Sequence, residues 1–180
     1  TVGAPLSFSD HHLSAGDSRF GLWVRDAMDK AGEGGQLLLH EPLSNAQRQA
    51  VAMRTIESLT DAEVAEAHKS AEMWIDVESQ TGPLDSFVGF LHALDWLDLP
   101  REKKGLVILW LDGMFGDPVQ IARGKKKKKG KARADDVKGF LEIWETARTL
   151  MTEERFLNWQ INYPGVWSNW SNAEREGGFD

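Results

Sequence analysis

Apolar residues recur every three to four positions along most of the chain, a spacing typical of helices that bury one face. Such stripes predict helices over residues 19–31, 60–80, 83–97 and 137–151. Thr152 is the expected N-cap of a last short helix, which ends near Ile161. The pattern therefore predicts a mainly α protein, a single-domain bundle of five to seven helices.

Two capping-box patterns mark further helix starts. Ser44 is followed three residues later by Gln47, and Thr60 in the same way by Glu63. In this motif each side chain bonds to the backbone N–H of the other position, so both pairs predict the first turn of a helix.

Two apolar runs leave strand and helix open as alternatives. The run 36–40 follows the glycine-rich break at 32–35 and precedes a proline, whereas 106–111 lies between two glycines. Six consecutive apolar residues fit a buried strand or a helix that is buried on all sides. A small two-stranded β element, made of 36–40 and 106–111, is therefore compatible with the sequence.

The ends and one internal segment differ from the helical body. Residues 1–17 lack a clear period and predict an irregular N-terminal arm, and residues 162–180 form a polar tail that contains two tryptophans. Between them, 18–161 is expected to be a single helical domain that is interrupted by a basic loop at 123–134.

Charge singles out this basic loop. Of the 21 lysines and arginines, eight lie in the loop, which has no acidic residue, while the other positions carry 13 basic and 28 acidic residues. The eight are Arg123, Lys125, Lys126, Lys127, Lys128, Lys129, Lys131 and Arg133. Like charges repel and resist burial, so the loop is expected to be solvated.

Three interpretations of the loop remain open. Clustered ammonium groups can bind a polyanion such as nucleic acid by displacing counterions, or can latch onto an acidic protein surface. The third interpretation is an inert, solvated insertion. No aromatic residue is interleaved with the lysines, which argues against a site that stacks nucleic-acid bases.

Tryptophan is unusually frequent, with eight residues against one tyrosine. Most lie on or beside predicted apolar helix faces and are expected in the core. Trp167 and Trp170 lie in the polar tail, where they are predicted either to anchor a partner subunit or to cover the core of their own chain.

Candidate catalytic chemistry is sparse. His68 and Glu72 are four residues apart, and His92 and Asp95 are three apart, so each pair can present two ligands from one helix face to a metal. The sequence has no cysteine, no HExxH, no nucleophile elbow and no phosphate-binding glycine loop. No catalytic residue and no cofactor are predicted.

The sequence favours a non-enzymatic structural or adaptor protein that docks in a larger assembly, where the lysine-rich loop contacts an anionic surface such as nucleic acid. A virion or phage-associated component fits this profile, and an inhibitor of a nucleic-acid-processing enzyme is an alternative. A small metal-dependent hydrolase that uses the two histidine and carboxylate pairs is a further alternative. The expected partners are protein subunits and nucleic acid.

The expected location is the cytoplasm or an assembled particle, and the composition does not exclude an organelle. No stretch approaches the roughly 18 consecutive apolar residues that a membrane span needs, so no membrane contact is predicted.

Overall fold

The computed structural model describes residue 16 and residues 21–58, 64–125 and 131–163. Within these ranges the chain is mainly helical, as predicted. The helices are α1 (Val24–Ser58), α2 (Val64–Trp96), α3 (Arg101–Leu111), α4 (Pro118–Ala122), α5 (Ala134–Glu154) and α6 (Trp159–Asn162).

Helices α1 and α2 pack as an antiparallel pair. At one end the Lys30 ammonium forms an ion pair with the Asp95 carboxylate at 2.5 Å. Towards the other end, Met53 and Ile56 of α1 form a small buried cluster with Val77 of α2. An early residue of α1 therefore contacts a late residue of α2, and late residues of α1 contact an earlier residue of α2. The two helices thus run in opposite directions.

The glycine-rich break at 32–35 interrupts α1 with a kink, at which two helical segments meet. Gly32 has φ 68° and ψ −167°, outside the helical region, and the chain is helical on both sides of it. A positive φ is accessible to glycine without steric cost, so one residue absorbs the whole kink. The expected strand at 36–40 is wrong because these residues continue α1, and Ser44 with Gln47 lies inside the helix rather than at its start.

The expected break at 81–83 is also wrong, because α2 runs without interruption through Pro83. A proline inside a helix costs about 3 kcal/mol, since it removes one hydrogen bond and crowds the preceding turn. Leu84, Phe87 and Val88 follow directly and are fully buried, and the burial of such side chains stabilises the fold by about 2 kcal/mol each. Tertiary packing thus offsets the local preference for a turn.

The second predicted capping box, Thr60 with Glu63, lies outside the described residues.

The run 106–111 is helical, so the predicted two-stranded element is absent from both of its segments. The helix begins at Arg101, in agreement with the charged residues that lead into the apolar run. Trp110 is fully buried whereas Ile108 is 59% exposed. The run shows no clear period because an apolar residue, Ile108, also occupies an exposed position of this helix.

The core is aromatic where α2, α3 and α5 meet. The Phe140 ring of α5 stacks on Phe115 with the ring centroids 4.6 Å apart and on Trp110 at 6.3 Å. The Trp110 ring also contacts Phe87 and Phe90 of α2 at 5.3 and 4.9 Å. This core holds α5 in a fixed position, and α5 carries the residues that anchor the basic loop.

The last turn of α5 differs from the prediction. Thr152 is inside the helix, where its hydroxyl donates to the Arg148 carbonyl at 3.0 Å, so it caps no new helix. Helix α5 ends at Arg155, which has a positive φ of 48°, and the short helix α6 starts at Trp159.

Candidate functional site

The start of the basic loop has a defined backbone structure. Gly124 has φ 84°, its N–H donates to the Ile121 carbonyl at 3.0 Å, and the Lys125 N–H donates to the Gln120 carbonyl at 3.0 Å. These two bonds form a Schellman motif, the usual glycine-dependent helix ending. The position of Lys125 is therefore fixed by the end of α4.

Two side chains of α5 hold this end of α4 in place. The Trp144 indole N–H donates to the Ile121 carbonyl at 2.9 Å, and the Arg148 guanidinium donates to the Ala122 carbonyl at 3.0 Å. The guanidinium carbon also lies 5.8 Å from the centre of the Trp144 ring, within cation–π range. A Cβ atom on Gly124 would approach the Arg148 guanidinium to 3.2 Å, so the turn and the arginine fit closely.

The opposite end of the loop joins α5 directly. Arg133 is the residue before the first helical position, and its carbonyl accepts from the Val137 N–H at 3.0 Å. Asp135 and Asp136 occupy the first turn, where negative charge is favoured by the helix dipole. The segment that carries the lysines thus starts and ends at positions set by α4 and α5.

Four of the eight loop cations are in the described part of the chain. Lys125, Lys131 and Arg133 are exposed, and Arg123 is half-buried. Between residues 21 and 163, leaving aside 59–63 and 126–130, the ion pairs join Lys30 to Asp95 and Lys103 to Glu142, and neither involves a loop cation. Lys126, Lys127, Lys128 and Lys129 lie outside the described residues.

An open cleft of about 510 Å³ lies between α4 and α5, beside Lys125. Its lining is mostly apolar and comprises Ile121, Gly124, Lys125, Val137, Phe140, Leu141, Trp144 and Glu145. A cleft of this size falls within the range of small-molecule and side-chain binding pockets. The basic loop thus begins at the edge of an apolar cleft, a relation that the sequence did not predict.

The sequence contained one indication of the contact between α5 and the end of α4. Trp144 and Arg148, which make that contact, are four residues apart. Residues at this spacing share a helix face. Sequence reasoning placed Trp144 on the core side of α5 but gave no reason to expect a bond to α4, because α4 was not predicted as a helix.

A second polar cluster lies near the middle of α2. The Asn158 side-chain amide donates to the Asp85 carboxylate at 2.9 Å, and its oxygen accepts from the Leu22 N–H at 3.1 Å. The Gln160 oxygen accepts from the Val24 N–H at 3.1 Å. Burial raises the pKa of the Asp85 carboxyl above its ordinary value, although hydrogen bonds from Asn158 and Asn162 oppose this. This cluster ties the start of α1 and the region of α6 to α2.

The four predicted metal ligands do not form one site. His68 and His92 both lie on α2, 24 residues apart, which places them about 36 Å apart along the helix at about 1.5 Å per residue. In the described ranges, no group of three or more His, Asp or Glu side chains is arranged to hold a metal ion. The sequence analysis placed the two pairs on two separate helices, whereas both lie on the one helix α2.

His92 and Asp95 have other contacts. The Trp96 indole N–H donates to His92 Nε2 at 3.2 Å, and the Phe156 ring meets the imidazole edge-on at 5.0 Å. Burial lowers the pKa of His92, while the nearby Asp95 carboxylate raises it and Lys30 lowers it. Asp95 is occupied by its ion pair with Lys30. Glu72 and His68 are exposed.

The predicted partner-binding residues Trp167 and Trp170 lie outside the described residues. In the described ranges, no helix combines the length and apolar character required to cross a membrane.

The chain matches no family model, and neither the curated proteins nor the solved structures include a match to it.

Proposed function

We propose that this protein is a non-catalytic adaptor that docks in a larger assembly through contact between its basic loop and an anionic surface such as nucleic acid. The observation that carries the proposal is the separation of charge: eight cations and no acid in the loop, against 13 cations and 28 acids elsewhere. The loop thus has a net charge of +8 (8 − 0), whereas the rest of the chain has a net charge of −15 (13 − 28).

The surroundings of the loop support this proposal. Lys125, Lys131 and Arg133 are exposed, and the ion pairs among the described residues leave them out. Cations without an internal partner keep their full attraction for an external anion and release its counterions on binding. The Schellman turn at Gly124 and the Arg148 contact set the direction in which the loop leaves the body.

The adaptor role extends to the C-terminal tail. Tryptophan is enriched where interfaces have their strongest contacts, so Trp167 and Trp170 are the proposed second contact, with another protein subunit. Deleting residues 164–180 should then weaken assembly without changing the affinity of the loop for anions.

The test is the binding of labelled nonspecific DNA and RNA duplexes across a salt series, measured by fluorescence anisotropy. The wild type is compared with a variant in which Lys125 to Lys129 are all replaced by glutamine. The expected result is binding that weakens steeply with salt in the wild type. In the glutamine variant, the slope of log Kd against log salt should be smaller than in the wild type. The difference should be about 1 for each replaced lysine that contacts a phosphate.

The matched control removes the same number of charges elsewhere on the surface. It carries glutamine at Arg48, Lys69, Arg101, Lys104 and Lys138. Equal losses in the two variants would mean that binding follows net charge and not the loop. If the wild type binds neither duplex nor a simple polyanion such as polyglutamate at low salt, the proposed function is wrong.

A further inference from the structure

The walls of the cleft beside the loop are mostly apolar, and its charged side chains, Lys125 and Glu145, lie at the rim. Val137, Leu141 and Ile121 are aliphatic, and the Trp144 indole N–H is already used by the Ile121 carbonyl. A nucleobase whose hydrogen-bonding edge faced these apolar walls would leave that edge unpaired, which costs free energy. An apolar side chain has no such cost, so the cleft is suited to an aliphatic or aromatic group.

The rim of the cleft carries charges of both signs. Lys125 lies on the rim where the basic loop begins, and Glu145 lines it from α5. A broad anionic surface, such as a duplex or a bilayer, would bring dense negative charge against the Glu145 carboxylate. A narrow chain can place its own carboxylates on Lys125 and avoid Glu145.

Leu141 shows that the cleft is accessible. It lines the cleft and is 38% exposed, so a side chain that enters the cleft can contact it. Phe140, one residue earlier, is fully buried and fixes the floor by its stack on Phe115. The site therefore has a rigid floor, one exposed apolar wall residue and a cation at its edge.

We propose that the anionic partner of this site is an acidic polypeptide segment that inserts an apolar anchor residue into the cleft while its carboxylates pair with Lys125, where the basic loop begins. This inference rests on the proposed function, because it names the partner class of the same loop. Apolar anchors in pockets supply most of the affinity in protein interfaces, and surrounding charges supply orientation and association rate.

The test uses two synthetic acidic peptides of equal length and charge as labelled probes. One carries a leucine and a phenylalanine one helical turn apart, and the other has alanine at both positions. Against wild-type protein, the apolar peptide should bind about tenfold more tightly than the alanine peptide. At high salt both should weaken, and the apolar peptide should retain its advantage, since burial of apolar surface is not screened.

The cleft is tested separately with Leu141→Ser, and Ile75→Ser is the matched control because Ile75 is an exposed aliphatic residue of α2. Leu141→Ser should remove the advantage of the apolar peptide and leave the alanine peptide unaffected, whereas Ile75→Ser should change neither. Circular dichroism and urea unfolding establish that both variants fold, which is expected because both side chains are exposed.

The outcomes separate the two proposals. Equal affinities of the wild type for both peptides, or an apolar advantage that survives Leu141→Ser, would overturn the cleft inference while leaving the loop proposal standing. The same holds if an RNA duplex binds more tightly than the apolar peptide and Leu141→Ser leaves that binding unchanged. Failure of the peptides, polyglutamate and duplex alike would overturn the loop proposal itself.

Discussion

The Asn158 side-chain amide donates to the carboxylate of Asp85 across 2.9 Å and joins two residues that are 73 positions apart in the chain. The oxygen of the same amide accepts from the Leu22 N–H at 3.1 Å, and Asn158 itself is only 1% exposed. One buried side chain thus links the segment before α1, the middle of α2 and the segment before α6.

Replacing Asn158 by alanine should lower the free energy of unfolding by about 3 kcal/mol. The change leaves the Leu22 N–H and the Asp85 carboxylate without this partner, and each buried group that loses its hydrogen bond costs about 1–3 kcal/mol. Urea denaturation monitored by circular dichroism measures the effect. Asn45→Ala is the control, because Asn45 bonds to Arg48 in an exposed pair within α1, and its loss should cost less than about 0.5 kcal/mol.

Asp85→Asn should stabilise the protein at neutral pH. Burial raises the pKa of Asp85 in the folded state above its ordinary value of 3.8, so the folded protein binds this proton more tightly than the unfolded chain. Wild-type stability should therefore decrease as pH rises from about 3.8 through the folded-state pKa. Asparagine keeps the oxygen that accepts from Asn158 and has no proton to lose. Urea unfolding across this pH range should show that the free energy of unfolding of Asp85→Asn increases relative to that of the wild type as pH rises. The prediction is contradicted if the difference between the two proteins does not change with pH.

His92 should make the fold less stable in acid. Burial lowers its pKa from the ordinary value of 6.5, so the unfolded chain takes up a proton that the folded protein resists. Protonation also removes the lone pair that accepts from the Trp96 indole at 3.2 Å. Stability should fall as pH drops below about 6.5, towards the lowered folded-state pKa.

The measurement compares the unfolding free energy of His92→Gln with that of the wild type between neutral and mildly acidic pH. As pH falls, the free energy of unfolding of His92→Gln should increase relative to that of the wild type. His68→Gln changes an exposed histidine at the opposite end of α2 and serves as the control. If His92→Gln and His68→Gln follow the same profile, the assignment of this pH dependence to His92 is wrong.

Two glycine-to-alanine substitutions should change the stability of the protein in opposite directions. Gly124→Ala places a side chain at φ 84° and within 3.2 Å of the Arg148 guanidinium, and should destabilise by about 1–2 kcal/mol. Gly105→Ala lies inside α3, where a Cβ meets nothing within 4 Å, and should stabilise by about 0.5–1 kcal/mol. Thermal and urea unfolding of both variants provide the comparison. A neutral Gly124→Ala would mean that the turn before the lysines is not held in the left-handed conformation.

The local signals in the sequence were sufficient for the helical class and for the basic loop. Apolar spacing predicted α2 and α5 in outline, and the eight clustered cations defined the loop without any structural information. Periodicity and charge are properties of neighbouring residues, so the sequence expresses them directly.

Tertiary structure decided whether local breaks end a helix. Gly82 and Pro83 predict a turn, but α2 continues because Leu84, Phe87 and Val88 are buried against the other helices. The run 106–111 was balanced between strand and helix, and its packing against α5 settled it as helix. Burial of several side chains outweighs the local cost of one proline.

The sequence alone therefore determined the helical class and the charge of the loop. Tertiary structure decided that His68 and His92 lie far apart on one helix, that Asn158 meets Asp85, and that an apolar cleft opens beside Lys125. The physical reason is the range of the interactions. Helix periodicity and turns depend on residues within about five positions, whereas sites are formed by side chains that only long-range packing brings together.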